Sequence, residues 1–328
     1  MIPRLDIQFP LARQIKYWRG EAYTPKKGEY LVNHARTGIV IVLRAALPNG
    51  GRVGVVAYNC HTVANAVVQA GCEPSFVDVT DDLTIDIATI PADLDAIVVT
   101  NLFGIRNDIA VIRKRLPEAI IIVDNAHGYG LPAEGDFTVY SINQGKFPAF
   151  GPGGILCVNL KENNIIEAID AMYERMPGYS KIGEMELFGS MLIKAIAYSR
   201  CMYRVMIRMK KSSNPNLHQE IEMKRMAPGI RRLYQVWLPN AGAEIEKQRQ
   251  NAEMIGGAVY GDNAFMAIVR TDDPEALKKE FADRGVETET HFKHCIEWAK
   301  EFGYVEGSCP KAEELTRKLL MIPTYTRI

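Results

Sequence analysis

The chain carries no paired thiols, no excess of charge of either sign, no apolar run long enough for a bilayer, and no low-complexity or repeated segment. The six cysteines (Cys60, Cys72, Cys157, Cys201, Cys295 and Cys309) are scattered, and none forms a CxxC pair. They give no disulfide framework, and the pattern fits a reducing, cytosolic compartment. Cys72 and Cys157 fall in apolar, strand-like contexts, where a free cysteine acts as a small core hydrophobe. Lys and Arg number 39 and so do Asp and Glu, which removes the electrostatic case for a nucleic-acid partner. The absence of long apolar runs argues against a spanning helix. The opening MIPRLDIQFPLARQIKYWRG has basic residues but neither an apolar signal core nor a small-residue cleavage site. A cytoplasmic protein is expected. Without repeats of solenoid period, the chain is not a one-dimensional array.

What is present is an ordinary globular composition, 328 residues with 47% apolar and 24% charged. That length suits one large domain or two moderate ones with an ample core. TGIVIVLRAAL predicts a helix over 37–47, with Thr37 at its start and PNGG as its stop. RVGVVAY (52–58) is a buried-type strand, and NCHTVANAVVQAG is a helix closed by Gly71. EPSFVDV and DAIVVT are further strands, IAVIRKRL a helix, and AIIIVD another strand. This alternation predicts an α/β fold with a mostly parallel, doubly wound sheet. Helices replace strands over about 161–217. SMLIKAIAYSRCMYRVMIRMKK puts Arg200, Arg204 and Arg208 on one helical face. A polar helix is expected near QEIEMKRM (219–226), then a long one from Tyr234 that Pro239 interrupts. Residues beyond 264 mix short strands and helices. The expected division is 1–228 as a large domain with the helical insertion, and 229–328 as a smaller α+β domain.

Ala119–Asn159 holds the residues with chemical potential. AIIIVDNAHG delivers Asp124 at a strand end and His127 in the following turn. GDFTVYSINQGK delivers Ser141 at a strand end and Lys146 in the loop, and GPGG follows. In open α/β sheets ligands sit beyond the carboxyl ends of the strands. Each residue alone has an ordinary explanation: a solvated lysine, a turn-capping aspartate, a satisfied histidine, a strand-terminal serine, a glycine hairpin. Together they favour a cofactor held between Asp124 and Lys146. Lys146 is then a Schiff-base lysine whose pKa is lowered by burial and nearby charge. Asp124 is then the anion beside a protonated ring nitrogen. The Thr37 helix start is a natural anion site, with Ser141 facing the same phosphate. HFKH (His291, His294) lacks a third ligand at a telling spacing, so no metal site is expected.

These motifs resemble the DegT/DnrJ/StrS-type sugar aminotransferases, which are fold-type I pyridoxal-phosphate enzymes. VDNAHG, GDFTVYSINQGK and GPGG are similar to the family's core pattern. RTGIV looks like its G-T-x-A-L helix start, NAVVQAGCEPSFVDV like its strand-loop-helix ending, and CPKAEELTRKLLMIPTY like its C-terminal segment. The resemblance spans roughly 30–160 and 229–328. It implies pyridoxal 5'-phosphate as cofactor, with Lys146 forming the Schiff base, Asp124 at the pyridine nitrogen and His127 near the phenolic oxygen. Ser141 and Thr37 are implied at the phosphate. In the family an aromatic from the loop after the 52–58 strand stacks on the ring, and the candidates here are Tyr58 and His61. Arg36 stands in place of a glycine, Pro152 in place of a glutamate, and Arg231 where the family has an asparagine reaching the neighbouring subunit's phosphate. A similar H-x-x-x-H stretch near the family's substrate side keeps His291 as a candidate. The implied reaction moves an amino group, with glutamate the expected donor, to a keto-sugar expected to be nucleotide-linked, in a homodimer with shared sites. A dehydratase or eliminase on the same scaffold, or a non-catalytic ligand-binding sensor, is the alternative; lysine rather than histidine at 146 favours transamination. The helix at 188–211 is expected to cover the core or a dimer contact, in preference to a membrane surface.

Overall fold

A computed structural model describes residues 20–197 and 215–325. Apolar runs of five or six residues become the central strands because both of their faces are buried. In β4 (Ala96–Thr100) and β5 (Ile120–Asn125), Ile97, Val99, Ile121 and Val123 face one core while Ala96, Val98 and Ile122 face the other. Alternate side chains of a strand point to opposite faces, so a strand covered on both sides reads as a continuous apolar run.

The central sheet has seven strands in the order β1-β7-β6-β5-β4-β2-β3. The other members are β1 (Glu29–Val32), β2 (Arg52–Val56), β3 (Glu73–Val77), β6 (Phe137–Ser141) and β7 (Gly154–Val158). Strands β2 to β6 are parallel. The β7 strand runs antiparallel to both β6 and β1. The order reverses between β2 and β4, and a crevice opens at the carboxyl ends there. The fold is the expected mostly parallel α/β sheet. A second, antiparallel sheet, β8-β10-β9 (Met266–Arg270, Leu319–Pro323, Glu289–Thr290), adds Met266, Ile268 and Met321 to the core beneath β4 and β5.

Helix α1 spans Ala35–Ala46, two residues earlier than the sequence suggests. Its N-cap is His34, which makes no side-chain cap bond, whereas Thr37 is fully buried inside the first turn and donates to Asn33 Oδ1 at 2.8 Å. Packing sets the helix start here. A missing cap costs about 1 kcal/mol, while Ile39, Val40, Ile41, Val42 and Leu43 are all buried at roughly 1.5–3 kcal/mol each. Two glycines let α1 lie close to the sheet. A Cβ on Gly38 would stand 3.0 Å from Val139 Cγ1, and one on Gly154 would stand 2.5 Å from the His34 carbonyl carbon.

Two other expectations are corrected. The QEIEMKRM stretch is extended instead of helical: Met226 N–H donates to Leu31 O, Asn33 N–H donates to Lys224 O, and Arg225 bridges Val32. The open edge of β1 satisfies its backbone, and Ile221 and Met226 are buried against the sheet. The long helix from Tyr234 is two helices, α6 (Pro228–Trp237) and α7 (Ala241–Glu253), separated by a short 3-10 turn containing Pro239. Proline removes an N–H and clashes with the preceding turn.

Helix α3 (Ile109–Arg115) follows β4, and between β7 and α6 lie α4 (Asn163–Arg175) and α5 (Lys181–Ala197). Phe188 and Met191 of α5 join the cluster that holds Ile230 and Leu233 of α6, while Ile182, Met185, Ile193 and Ile196 are exposed. The predicted arginine face at 200, 204 and 208 lies outside the described residues. Among the described residues no helix is long and apolar enough to cross a membrane.

Candidate active site

A cavity of about 230 Å³ lies at the reversal point of the sheet. Asn59 and Cys60 reach it from the loop after β2, Thr100 from the end of β4, Asp124 from β5 and Ala126 from just past its end, and Ser141 from the end of β6. His34, Ala35, Arg36 and Ile39 close it from α1, while Thr62 and Val63 close it from α2 (His61–Gln69). His127, Asn143, Lys146 and Phe292 complete the wall.

Lys146 owes its position to a turn and two anchors. Its N–H donates to Asn143 O at 3.0 Å, with Gly145 at φ +80° as the third residue of the turn. That conformation is open to glycine and strained for most side chains. Phe147 and Phe150 are buried against Trp237 of α6, so the loop is pinned just beyond the lysine. Lys146 Nζ lies 2.8 Å from His127 Nε2.

The electrostatics follow from burial. Burial lowers the Lys146 pKa from the ordinary lysine value, opposed by the negative charges of Cys60 and Asp124. Burial raises the Asp124 carboxyl, opposed by the Ala126 N–H, the Lys146 charge and the Thr100 hydroxyl. His127 is held well below the histidine range by burial, with Lys146 and His291 adding to it. Burial and Arg36 bring His34 down to about 3. Burial alone would raise the Cys60 thiol. His61, the Lys146 charge and the Thr62 hydroxyl outweigh it and bring the thiol to about 7. Arg36 forms no hydrogen bond or ion pair with another described residue, and burial lowers its pKa. The first turn of α1 holds no acidic residue. The cavity wall therefore combines a guanidinium without a described partner at a helix start, the Ser141 hydroxyl, a buried carboxylate and a buried amine.

Of the sequence candidates, Lys146, Asp124, His127, Ser141 and Arg36 come together around this cavity. Four others are absent from its wall. Thr37 is turned to Asn33. Tyr58 is fully buried, its hydroxyl donating to His291 O at 2.6 Å and its ring packed edge-on to Phe292. His61 packs edge-on to Trp298. Arg231 donates through Nε and Nη2 to Tyr23 O. The loop after β2 thus presents Asn59 and Cys60 to the cavity, with no aromatic ring. His294 is on the surface, its Nδ1 2.9 Å from Glu297 Oε2. Among the described residues no group of potential ligands could hold a metal ion.

Sequence reasoning passed over Asn59, Cys60, Thr100, His34 and Phe292. Thr100 carried the same signal as Asp124, a polar residue closing an apolar strand. Phe292 carried none, because only the fold brings it over the central sheet.

A mostly parallel sheet with a buried carboxylate and a recessed lysine at its switch point, and an arginine at a helix start in the same cavity, fits a pyridoxal-phosphate-dependent aminotransferase. Residues 21–328 match the DegT/DnrJ/EryC1/StrS aminotransferase family, and the chain belongs to it. No curated protein sequence matches it. The fold is similar to that of the sugar aminotransferase CalS13 from Micromonospora echinospora, with a TM-score of 0.70 at 16% identity over 99% of this chain and 95% of that one. It is similar too to the aminotransferase TlmJ from Streptoalloteichus hindustanus, with a TM-score of 0.71 at 17% identity over 99% and 93%. Spr1654 from Streptococcus pneumoniae in its PLP form gives a TM-score of 0.71 at 16% identity over 100% and 94%. At such identities the likeness is one of fold.

Proposed function

We propose that the chain transfers an amino group from glutamate to a keto-sugar, nucleotide-linked by analogy with the family, using Lys146 as the residue that bonds the cofactor. The observation that carries this is the junction of Lys146, His127 and Asp124 in one buried cavity. The donor set fits pyridoxal phosphate at both ends. Asp124 would hold the ring nitrogen protonated, and Ser141, Arg36 and the start of α1 would take the phosphate. When bound, the cofactor supplies an electron sink for the charge left at the substrate Cα.

The chain does the rest. Lys146 Nζ would accept the proton leaving the donor's Cα in the first half-reaction and supply one to the acceptor carbon that takes the amino group in the second, and its lowered pKa suits it to that exchange. Asp124 would serve as counter-ion to the protonated ring nitrogen, and Phe292 and Ile39 give the cavity apolar wall that would keep water out. The same reading takes 1–228 and 229–328 as the two units, a homodimer as the working form and the cytoplasm as its compartment.

The test is a half-reaction. Holoenzyme mixed with glutamate should release one equivalent of 2-oxoglutarate and pass to the pyridoxamine form. A keto-sugar nucleotide should then return it to the starting form. A sensor releases no 2-oxoglutarate, and a dehydratase consumes the keto-sugar nucleotide without leaving an amino group on it; either result would end the transaminase proposal.

A further inference from the structure

The ring of His127 has both nitrogens engaged, and the two contacts are not independent. The Phe103 backbone N–H donates to Nδ1 at 3.3 Å, and Lys146 Nζ lies 2.8 Å from Nε2. A neutral imidazole has one donor and one acceptor nitrogen, and an imidazolium has two donors. A peptide N–H can only donate. Nδ1 must therefore carry the lone pair, the ring proton sits on Nε2, and Lys146 Nζ is left to accept it. An ammonium has no lone pair to offer.

We propose that Phe103 N–H fixes the tautomer of His127, and that His127 thereby holds Lys146 as a neutral amine ready to bond a carbonyl carbon. His127 is then a positioning residue acting through Lys146. The inference rests on the proposed role of Lys146.

The surroundings are built to hold this arrangement. Phe103 has φ +55°, uncommon for a residue with a side chain. Its turn is held by Gly104 N–H to Asn101 O, and by the Asn101 side chain, which donates to Asn125 and accepts from Asn107. The Phe103 ring stacks on the imidazole with 25° between planes. Behind the ring, Asn263 Nδ2 donates to the carbonyls of His127 and Tyr129. The titratable and charged groups around the pair are Asp124, Cys60, His34, His291 and Arg36. Asp124 and Cys60 favour the ammonium, so the tautomer lock opposes them.

Two measurements on the full chain test this. In the cofactor-free protein, long-range ¹⁵N–¹H correlation at neutral pH should give His127 the Nε2–H pattern, and Lys146→Met should leave that pattern intact. An Nδ1–H or doubly protonated ring overturns the proposal. The second measurement is the pH profile for capture of pyridoxal phosphate, read as growth of the visible band. Gln can accept from Phe103 N–H and donate to Lys146, so His127→Gln should keep the wild-type profile. Glu can only accept, so His127→Glu should slow capture at neutral pH by about tenfold or more and recover as pH rises, since a facing charge shifts a pKa by about one to three units. Coincident profiles for the Gln and Glu variants would contradict it. Borohydride fixation with peptide mapping separates the two ideas: an adduct on another lysine defeats the Lys146 assignment, whereas the ¹⁵N pattern judges the tautomer.

Discussion

Arg231 grips the carbonyl oxygen of Tyr23 with two donors, Nε at 2.9 Å and Nη2 at 2.7 Å. The Tyr23 N–H returns a bond to the Arg231 carbonyl at 3.2 Å. Tyr23 also packs edge-on to Tyr234, with ring centroids 4.9 Å apart, so the pair joins α6 to the segment leading into β1. Within the described chain, Arg231 spends two of its guanidinium donors on this carbonyl.

Arg231→Ala is accordingly expected to act on stability. Hydrogen bonds to a charged group contribute roughly 1.5–3 kcal/mol, and partial exposure brings the expected loss to about 1–2 kcal/mol. Urea denaturation should show that loss. Cofactor affinity should change by less than about threefold, below ~0.7 kcal/mol. A large loss of affinity with unchanged stability would return Arg231 to the phosphate.

Arg36 is the opposite case, a recessed cation without a carboxylate, at a helix start. Arg36→Met should weaken pyridoxal phosphate about tenfold to a hundredfold, the range a charge-assisted contact supplies. Pyridoxal, which lacks the phosphate, should bind both proteins alike. Equal losses for the two ligands, measured by fluorescence titration, would place the charge elsewhere.

Asp124 carries a pH signature. Its carboxyl pKa is raised in the folded chain, so the folded state holds that proton more tightly than the unfolded one. The cofactor-free protein should thus lose stability as pH rises from the ordinary carboxylate range through the raised value. Asp124→Asn removes this term while Oδ1 still accepts from Ala126 N–H. The cofactor-free variant should be more stable than wild type at neutral pH, with the gap closing as pH falls. It should also fail the glutamate half-reaction. Denaturation at two pH values checks the first point, and a gap that widens on acidification would contradict it.

Cys60 separates from the other described cysteines by chemistry. Its thiol sits at about 7, while Cys157, Cys295 and Cys309 are pushed up to about 12 and Cys72 is raised. Iodoacetamide should label Cys60 first in the cofactor-free chain, at a rate that climbs through neutral pH. Bound cofactor should protect it. Peptide mapping that finds another of these four labelled first would contradict the account of the site.

The parts of the site legible in the sequence are those that one strand end delivers. Asp124 and Ser141 each close an apolar run, and Lys146 follows within a glycine turn, so spacing alone brought them together. The residues misjudged depend on a helix phase or on a distant packing partner. Thr37 looked like a cap because its residue type suits one, but five buried aliphatic residues moved the helix start to Ala35. Tyr58 and His61 looked like ring partners because they are aromatic and near a strand end. The core took Tyr58, and Trp298 took His61. QEIEMKRM has helix-forming residues, yet the free edge of β1 offered its backbone a better partner. Phe292 could not be read at all, since its place over the cavity depends on how the second sheet docks.

The central claim is that Lys146 bonds the cofactor. Borohydride reduction of the holoenzyme, followed by proteolysis and mass mapping, tests it directly. The account predicts the reduced cofactor mass on the peptide carrying Lys146, and its loss in Lys146→Ala together with the visible band. The same mass on a different lysine, or a reducible adduct persisting in Lys146→Ala, would contradict it.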